Sequence, residues 1–265
     1  MNNIIRLSFV LFSISLELEG QLSINVLSDQ ELADLKNSTA YFVYNTGLAE
    51  QTALYYKAAT LAWKIGKIEV LKPDKYKDTI IQGTYSVFEE VDIIYESSNR
   101  GRDHKRFFIY SLVKNDGKKN LEKIEIAKME MELSGSGTNT PGIYKCYLSL
   151  ISSSLLQKVR RHTIQDDSND DLLKKLANDT LFITKDLLYG NGFSSGKDFT
   201  EEYLVKDYKY KYQFTKNKKL TNRILSGDKE VFVFVYSYLD CKQSVFVVEA
   251  HSGSLVYSNY TGNNC

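Results

Sequence analysis

One stretch of this chain occurs twice, and that repetition limits the available folds more than any other feature. Lys67–Phe88, KIEVLKPDKYKDTIIQGTYSVF, aligns without a gap on Lys211–Phe232, KYQFTKNKKLTNRILSGDKEVF. Lys67 falls on Lys211, Lys72 on Lys216, Lys75 on Lys219, Ile80 on Ile224, Gly83 on Gly227, Val87 on Val231 and Phe88 on Phe232. Between these identities apolar meets apolar: Ile68 with Tyr212, Val70 with Phe214, Ile81 with Leu225. Upstream of each copy lies a second match, Leu35–Val43 (LKNSTAYFV) against Leu176–Thr184 (LANDTLFIT). A pattern repeated in this way predicts the same supersecondary unit built twice.

The first copy can be read in order. Thr39–Tyr44 is β-branched and aromatic, as a buried strand should be. Asn45-Thr46-Gly47 turns the chain into a helix over Ala49–Ile65, with Leu54, Ala58, Leu61, Ala62 and Ile65 expected on its buried face and Gly66 as its stop. Lys67–Leu71 is the next strand, and a strand, helix and strand so closely spaced imply a parallel pair. Pro73 suits a first helical turn, and a short helix over Asp74–Gln82 ends at Gly83; in the second copy Asn217 can cap and Gly227 stops the helix. Three strands follow at Tyr85–Glu96, Lys105–Lys114 and Glu122–Leu133, with turns expected at Ser97–His104 and Asn115–Asn120. In the third of these, Ile124 and Ile126 share one parity while Met129, Met131 and Leu133 take the other. A β-bulge near Ala127–Lys128 would bring both sets to the core.

Ser134–Gly142 is a Gly/Ser/Thr/Pro loop and marks a boundary. A helix is expected over Ile143–His162, with Leu148, Ile151, Leu155 and Val159 on one stripe, followed by an acidic connector, Gln165–Asp171. The second copy supplies strands at Thr180–Ile183 and Tyr208–Phe214, a short helix at Lys218–Leu225, and a strand apolar on both faces at Glu230–Leu239. It closes with a hairpin, Val245–Ala250 and Leu255–Tyr260, around His251-Ser252-Gly253. The expected fold is α+β: two tandem β-α-β-α-β-β-β units with mixed sheets, joined by a helix. The expected divisions are residues 1–20 as a signal peptide, 21–140 as the first unit, 141–175 as the connecting helix and linker, and 176–265 as the second unit.

Composition narrows function more than it names it. With 265 residues, 43% hydrophobic and 25% charged, the chain can bury a sizeable core. Its formal net charge of +1 lacks the basic excess of a general nucleic-acid binder. Arg6 precedes a short apolar run, Leu7–Leu16, which is too short to span a bilayer and is followed by Glu17 and Glu19. This reads as an export signal cleaved between Leu16 and Gln21, the alternative being a buried N-terminal element. No later stretch is long and apolar enough to be transmembrane.

Candidate chemistry is sparse. The first turn, Tyr44-Asn45-Thr46-Gly47-Leu48, carries one glycine and matches neither dinucleotide nor P-loop fingerprints, so no cofactor is expected. Cys146, Cys241 and Cys265 fit no zinc spacing, and His104, His162 and His251 have no second histidine at ligand spacing; no metal is expected. Cys146 with His162 could form a nucleophile pair, although no motif surrounds the cysteine and His162 suits a helix C-terminus. Two stretches are candidates for binding. Arg100, Arg102 and Lys105 belong to the densest basic cluster, RGRDHKR, at an expected hairpin tip. Tyr208 and Tyr210 alternate with lysines in KDYKYKY, a pattern that stacks bases or sugars but also describes any half-buried edge strand. Sequons at Asn37, Asn178 and Asn259 are open to glycosylation or to a local turn role.

Several short motifs occur together: Ala62-Trp63 closing the first helix, Tyr85-Ser86 opening a strand, Tyr147-Leu148, Asn178-Asp179-Thr180-Leu181, and the closing Ser252–Thr261. With them the chain resembles an uncharacterised family of exported proteins of flavobacterium-like bacteria, over most of its length beyond the signal. The resemblance implies export and this architecture and carries no catalytic residues. The reading that follows is an exported, non-enzymatic binding or interaction protein of the bacterial envelope, whose partner is a protein or envelope component and not nucleic acid. The alternative is a hydrolase with its site between the two units.

Overall fold

The computed structural model describes residues 22–25, 27–44, 49–78, 81–97, 101–117, 121–131, 140–156, 162–163, 169–185, 208–227, 231–239 and 242–262. The first unit contains β1 (Leu22–Ile24), α1 (Asp29–Asn37), β2 (Thr39–Val43), α2 (Ala49–Ala62), β3 (Lys67–Leu71), α3 (Pro73–Asp78), β4 (Gly83–Ser97), β5 (Gly101–Asn115) and β6 (Leu121–Met131). Between the units lie α4 (Pro141–Leu156) and β7 (His162–Thr163). The second unit contains α5 (Asp170–Leu176), β8 (Leu181–Thr184), β9 (Tyr212–Thr215), α6 (Asn217–Ser226), β10 (Phe232–Leu239), β11 (Lys242–Glu249) and β12 (Ser254–Gly262).

The duplication holds at the level of topology. One sheet runs β3-β2-β4-β5-β6-β1-β7 and the other β9-β8-β10-β11-β12, so the five repeated strands take the same order in both. The first three are parallel where they pair, and the last three form antiparallel hairpins. Ala40 stands opposite Ile68, and the aligned Leu181 stands opposite Tyr212. On the other side of the first strand the register differs. Ala40 faces Ser86, whereas Leu181 faces Phe232, two residues past the aligned position. An even slip leaves every side chain on its original face. Gly83 and Gly227 both adopt positive φ, 88° and 84°; Gly227 is the C-cap that stops α6, whereas Gly83, expected to stop α3, opens β4 beyond the non-helical Ile81 and Gln82. The repeat also begins one helix earlier than the sequence suggested. Ser28 caps α1 in a capping box with Glu31, and the aligned Asn169 caps α5 through the Leu172 amide. The stretch read as an acidic connector therefore runs into a helix. The segment between β8 and β9 lies outside the described residues.

The two sheets share one core but do not turn the same face toward it. In the first unit the α2 side, with Ala40, Phe42 and Phe88, joins the central cluster, while Val43, Tyr85 and Val87 form a small cluster on the α3 side. In the second unit Leu181, Ile183 and Phe232, aligned with Ala40, Phe42 and Phe88, belong to a separate cluster. It is Phe182 and Val231, on the α6 side, that enter the central core with Leu220 and Ile224 of α6. The contact between units is thus heterologous.

Helix α4 fills the space between them. Pro141 takes the first helical position and the Thr140 hydroxyl accepts from the Ile143 amide at 3.4 Å, so the helix starts before the expected Ile143. It is buried on all sides from Pro141 to Ser152, and it ends at Leu156 among the described residues. His162, expected in its last turn, instead lies in β7, paired with Ile24 of β1. Other departures are local. Helix α2 buries Tyr55, Ala58, Ala59 and Ala62 and leaves Leu61 43% exposed, because Tyr55 stacks on Tyr44 at 4.9 Å and fixes which face turns inward. Helix α3 runs to Asp78 among the described residues and has ended before Ile81, and the β5 strand reaches back to Gly101, into the expected Ser97–His104 loop. The register of β5 and β6 shifts between Tyr110 and Ser111, opposite Ala127 and Glu125. Ile126 is the extra residue, and Ile126, Ala127 and Met129 are all buried.

Candidate functional site

The basic cluster is placed by an unusually long hairpin. Strand β4 pairs with β2 only over Ser86–Phe88, but with β5 all the way from Gly83 to Ser97. Pairing of β6 with β5 stops at Arg106. Among the described residues, Ile93–Ser97 and Gly101–Lys105 therefore form a two-stranded end that outruns the sheet. Arg102 stands opposite Glu96 and Lys105 opposite Ile93 on this arm. They occupy strand positions and not a loop, while Arg100 lies outside the described residues between the two strands.

The tyrosine pair lies beside the other sheet and packs toward the second unit's own cluster. Tyr208 lies before β9, which begins at Tyr212 and not at Tyr208 as expected. Its ring is 7% exposed and packs in the second unit's separate cluster, with Tyr210 partly buried against the same cluster. Tyr208, Tyr210, Tyr212 and Phe214 make a ladder of edge-on contacts, with centroids 5.7 to 6.4 Å apart. Packing into the cluster takes most of the Tyr208 surface, while Tyr210 is half-buried and Tyr212 stays 39% exposed. Burial also raises the Tyr208 hydroxyl above the usual phenol range and leaves it without a hydrogen-bond partner. The arm is in one sheet and the ladder in the other, so the structure does not bring the two candidate sets together.

Two polar constellations escaped the sequence reading, and both involve α4. At the carboxyl end of β2, where the chain passes to β3 on one side and β4 on the other, the Tyr44 hydroxyl donates to Thr52 Oγ1 at 2.8 Å and the Tyr144 hydroxyl donates to Glu90. This is the switch point at which open α/β sheets hold ligands. Here Phe42, Tyr55 and Tyr144 pack against one another at 5.4 to 6.2 Å and fill it. Burial, and then the Glu90 carboxylate, hold the Tyr144 and Tyr55 hydroxyls well above the ordinary phenol range, so both stay protonated. In the second copy Phe234 takes the place aligned with Glu90. That difference between copies was the sequence signal for this cluster.

The second constellation is one residue along. Lys145 is 3% exposed, and its ammonium donates to the carbonyls of Ala250 and His251. Those carbonyls belong to the β11–β12 turn. The Glu249 carboxylate organises the same turn, accepting from the His251 and Ser252 amides at 2.8 and 2.7 Å and from the Ser252 hydroxyl. Burial lowers the Lys145 pKa from its ordinary value. Gly253 comes so close to α4 that a Cβ there would lie 2.2 Å from Ser149 Cβ.

The nucleophile candidates resolve in the same structural direction. Cys146 is fully buried in mid-helix, and burial pushes its thiol up to about 12, the opposite of an activated cysteine. His162 and His104 sit on strands opposite Ile24 and Ile94, and His251 is exposed on the turn. Cys241 and Cys265 lie outside the described residues, as do residues 1–21. Among the described residues no group of three His, Cys, Asp or Glu is placed to hold a metal ion, and no helix is long and apolar enough to cross a membrane. A surface cavity of about 350 Å³ at the end of α5 is lined by Lys174, Lys175, Asn178 and Asp179. There the Asn178 side chain donates to the Lys174 carbonyl at 2.9 Å, a local turn role for that sequon. No family model, curated protein or solved structure matches this chain.

Proposed function

We propose that this is an exported protein of the bacterial envelope that acts by binding a partner and not by catalysis. The observation that supports this most is the β4–β5 arm. A two-stranded ribbon is marginal in water without a third strand or a packing partner, and among the described residues this one continues beyond its pairing with β2 and β6 and carries the densest basic stretch of the chain. Arg100, Arg102 and Lys105 at its end suit contact with a protein or envelope component. The buried ionisable groups near α4 have structural employment: Lys145 ties down a turn and Glu90 takes the Tyr144 hydroxyl. Export rests on the apolar run Leu7–Leu16 and on the family resemblance.

The test is affinity capture from the native envelope with wild type and with the triple variant R100A/R102A/K105A, followed by mass spectrometry. A circular dichroism melt of the variant is run beside wild type, so that loss of capture by a folded variant is distinguished from loss of the fold. The variant should lose the proteins that wild type retains. Equal capture by both would remove the arm from the argument. N-terminal sequencing of the native protein should place the mature start between Leu16 and Gln21; an intact Met1 in a cytosolic fraction would overturn the assignment to the envelope.

A further inference from the structure

No further inference is drawn: the strongest candidate, the backbone edge that β4 presents from Glu89 to Ser97 beyond its pairing with β2, carries nothing, because among the described residues nothing shows what would pair with it.

Discussion

Replacing Gly253 by alanine tests the junction between the units most directly, because a built-in control exists. Gly227 and Gly253 both hold positive φ, 84° and 74°. Nothing lies within 4 Å of a Cβ added at Gly227, whereas at Gly253 it would meet Ser149 Cβ at 2.2 Å, the Ser149 carbonyl carbon at 2.5 Å and its oxygen at 2.7 Å. Gly227→Ala should therefore show the backbone effect alone, about 1–2 kcal/mol for an L-residue in the left-handed region. Gly253→Ala carries the same term plus overpacking against helix backbone, which no rotamer change relieves, about 1–3 kcal/mol more. The expected total is about 4 kcal/mol. At roughly 2–4 °C per kcal/mol for a protein of this size, the melting temperature should fall by about 12 °C, against about 5 °C for the control. Thermal and urea melts followed by circular dichroism measure both. Relief of the clash requires the turn to lift from α4, which breaks the Lys145 bonds to Ala250 and His251 and the Ser153 hydroxyl bond to the Gly253 carbonyl. Losses from G253A and K145M should then fall short of additive by about 1 kcal/mol or more. If G253A and G227A destabilise equally, the turn is not pressed on α4 and the account of the junction is wrong.

Other expectations follow from the buried groups. Lys145→Met keeps the aliphatic stem but leaves two carbonyls without their donor; loss of the charged hydrogen bonds outweighs relief of the buried charge, and the protein should lose about 2 kcal/mol, read from urea midpoints. A variant as stable as wild type would show that the ammonium is not engaged. Cys146, fully buried with its thiol pushed up to about 12, should ignore a thiol reagent at pH 8 in the native state and react only on unfolding. Rapid native labelling at Cys146, mapped by mass spectrometry, would contradict its placement. Burial raises Tyr55, Tyr76, Tyr110, Tyr144 and Tyr208 above the unfolded value near 10. Their stabilisation is therefore complete below about pH 10 and is lost as pH rises through their folded values. Lys123 and Lys145 have the opposite sign, since burial puts their folded pKa below the unfolded one, but they are two groups against five. Stability should fall above about pH 10, with tyrosinate absorbance appearing in the same step as loss of the circular dichroism signal. Smooth ionisation of all tyrosines in the folded protein would refute the burial.

What was legible in the sequence is what depends on local pattern. Gly227 stops α6 and Gly83 opens β4 because the chain needs positive φ at both places, and that requirement is visible in the residue itself. The parity change in Ile124–Leu133 betrayed a bulge because two core sets cannot alternate in phase, and Ile126 is where the extra residue sits. Elements of two or three residues, β1 and β7, have no period to detect. Helix α1 did carry a signal, Ser28 with Glu31, and α5 another, Asn169 before two acids; both were open to a capping argument. Helix α4 was harder. Lys145, Ser149 and Ser152 sit where a surface face was expected, opposite Leu148 and Ile151. They are buried because the Ala250 carbonyl, the Gly253 backbone and the Lys64 amide arrive from roughly 100 residues away. Sequence periodicity reports how apolar a face is, not which distant backbone groups will satisfy its polar atoms.

The different faces used by the two copies explain why the copies have diverged. A symmetric pair would turn equivalent faces inward, and the same residues would serve in both. Here the α6 side of the second copy meets α4, at a place where a Cβ on Gly142 would come within 2.8 Å of Thr221 Cα. The residue aligned with Thr221 in the first copy is Lys77. The α3 side of the first copy instead closes its own small cluster of Val43, Tyr85, Val87 and Val113. The reverse substitution appears at the switch point. Glu90 faces α4 in the first copy and is held by Tyr144, while the aligned Phe234 belongs to a separate apolar cluster in the second. At this position the polar side chain stands in the copy where Tyr144 of α4 can satisfy it, and an apolar one takes the equivalent place in the copy that packs it into a separate cluster.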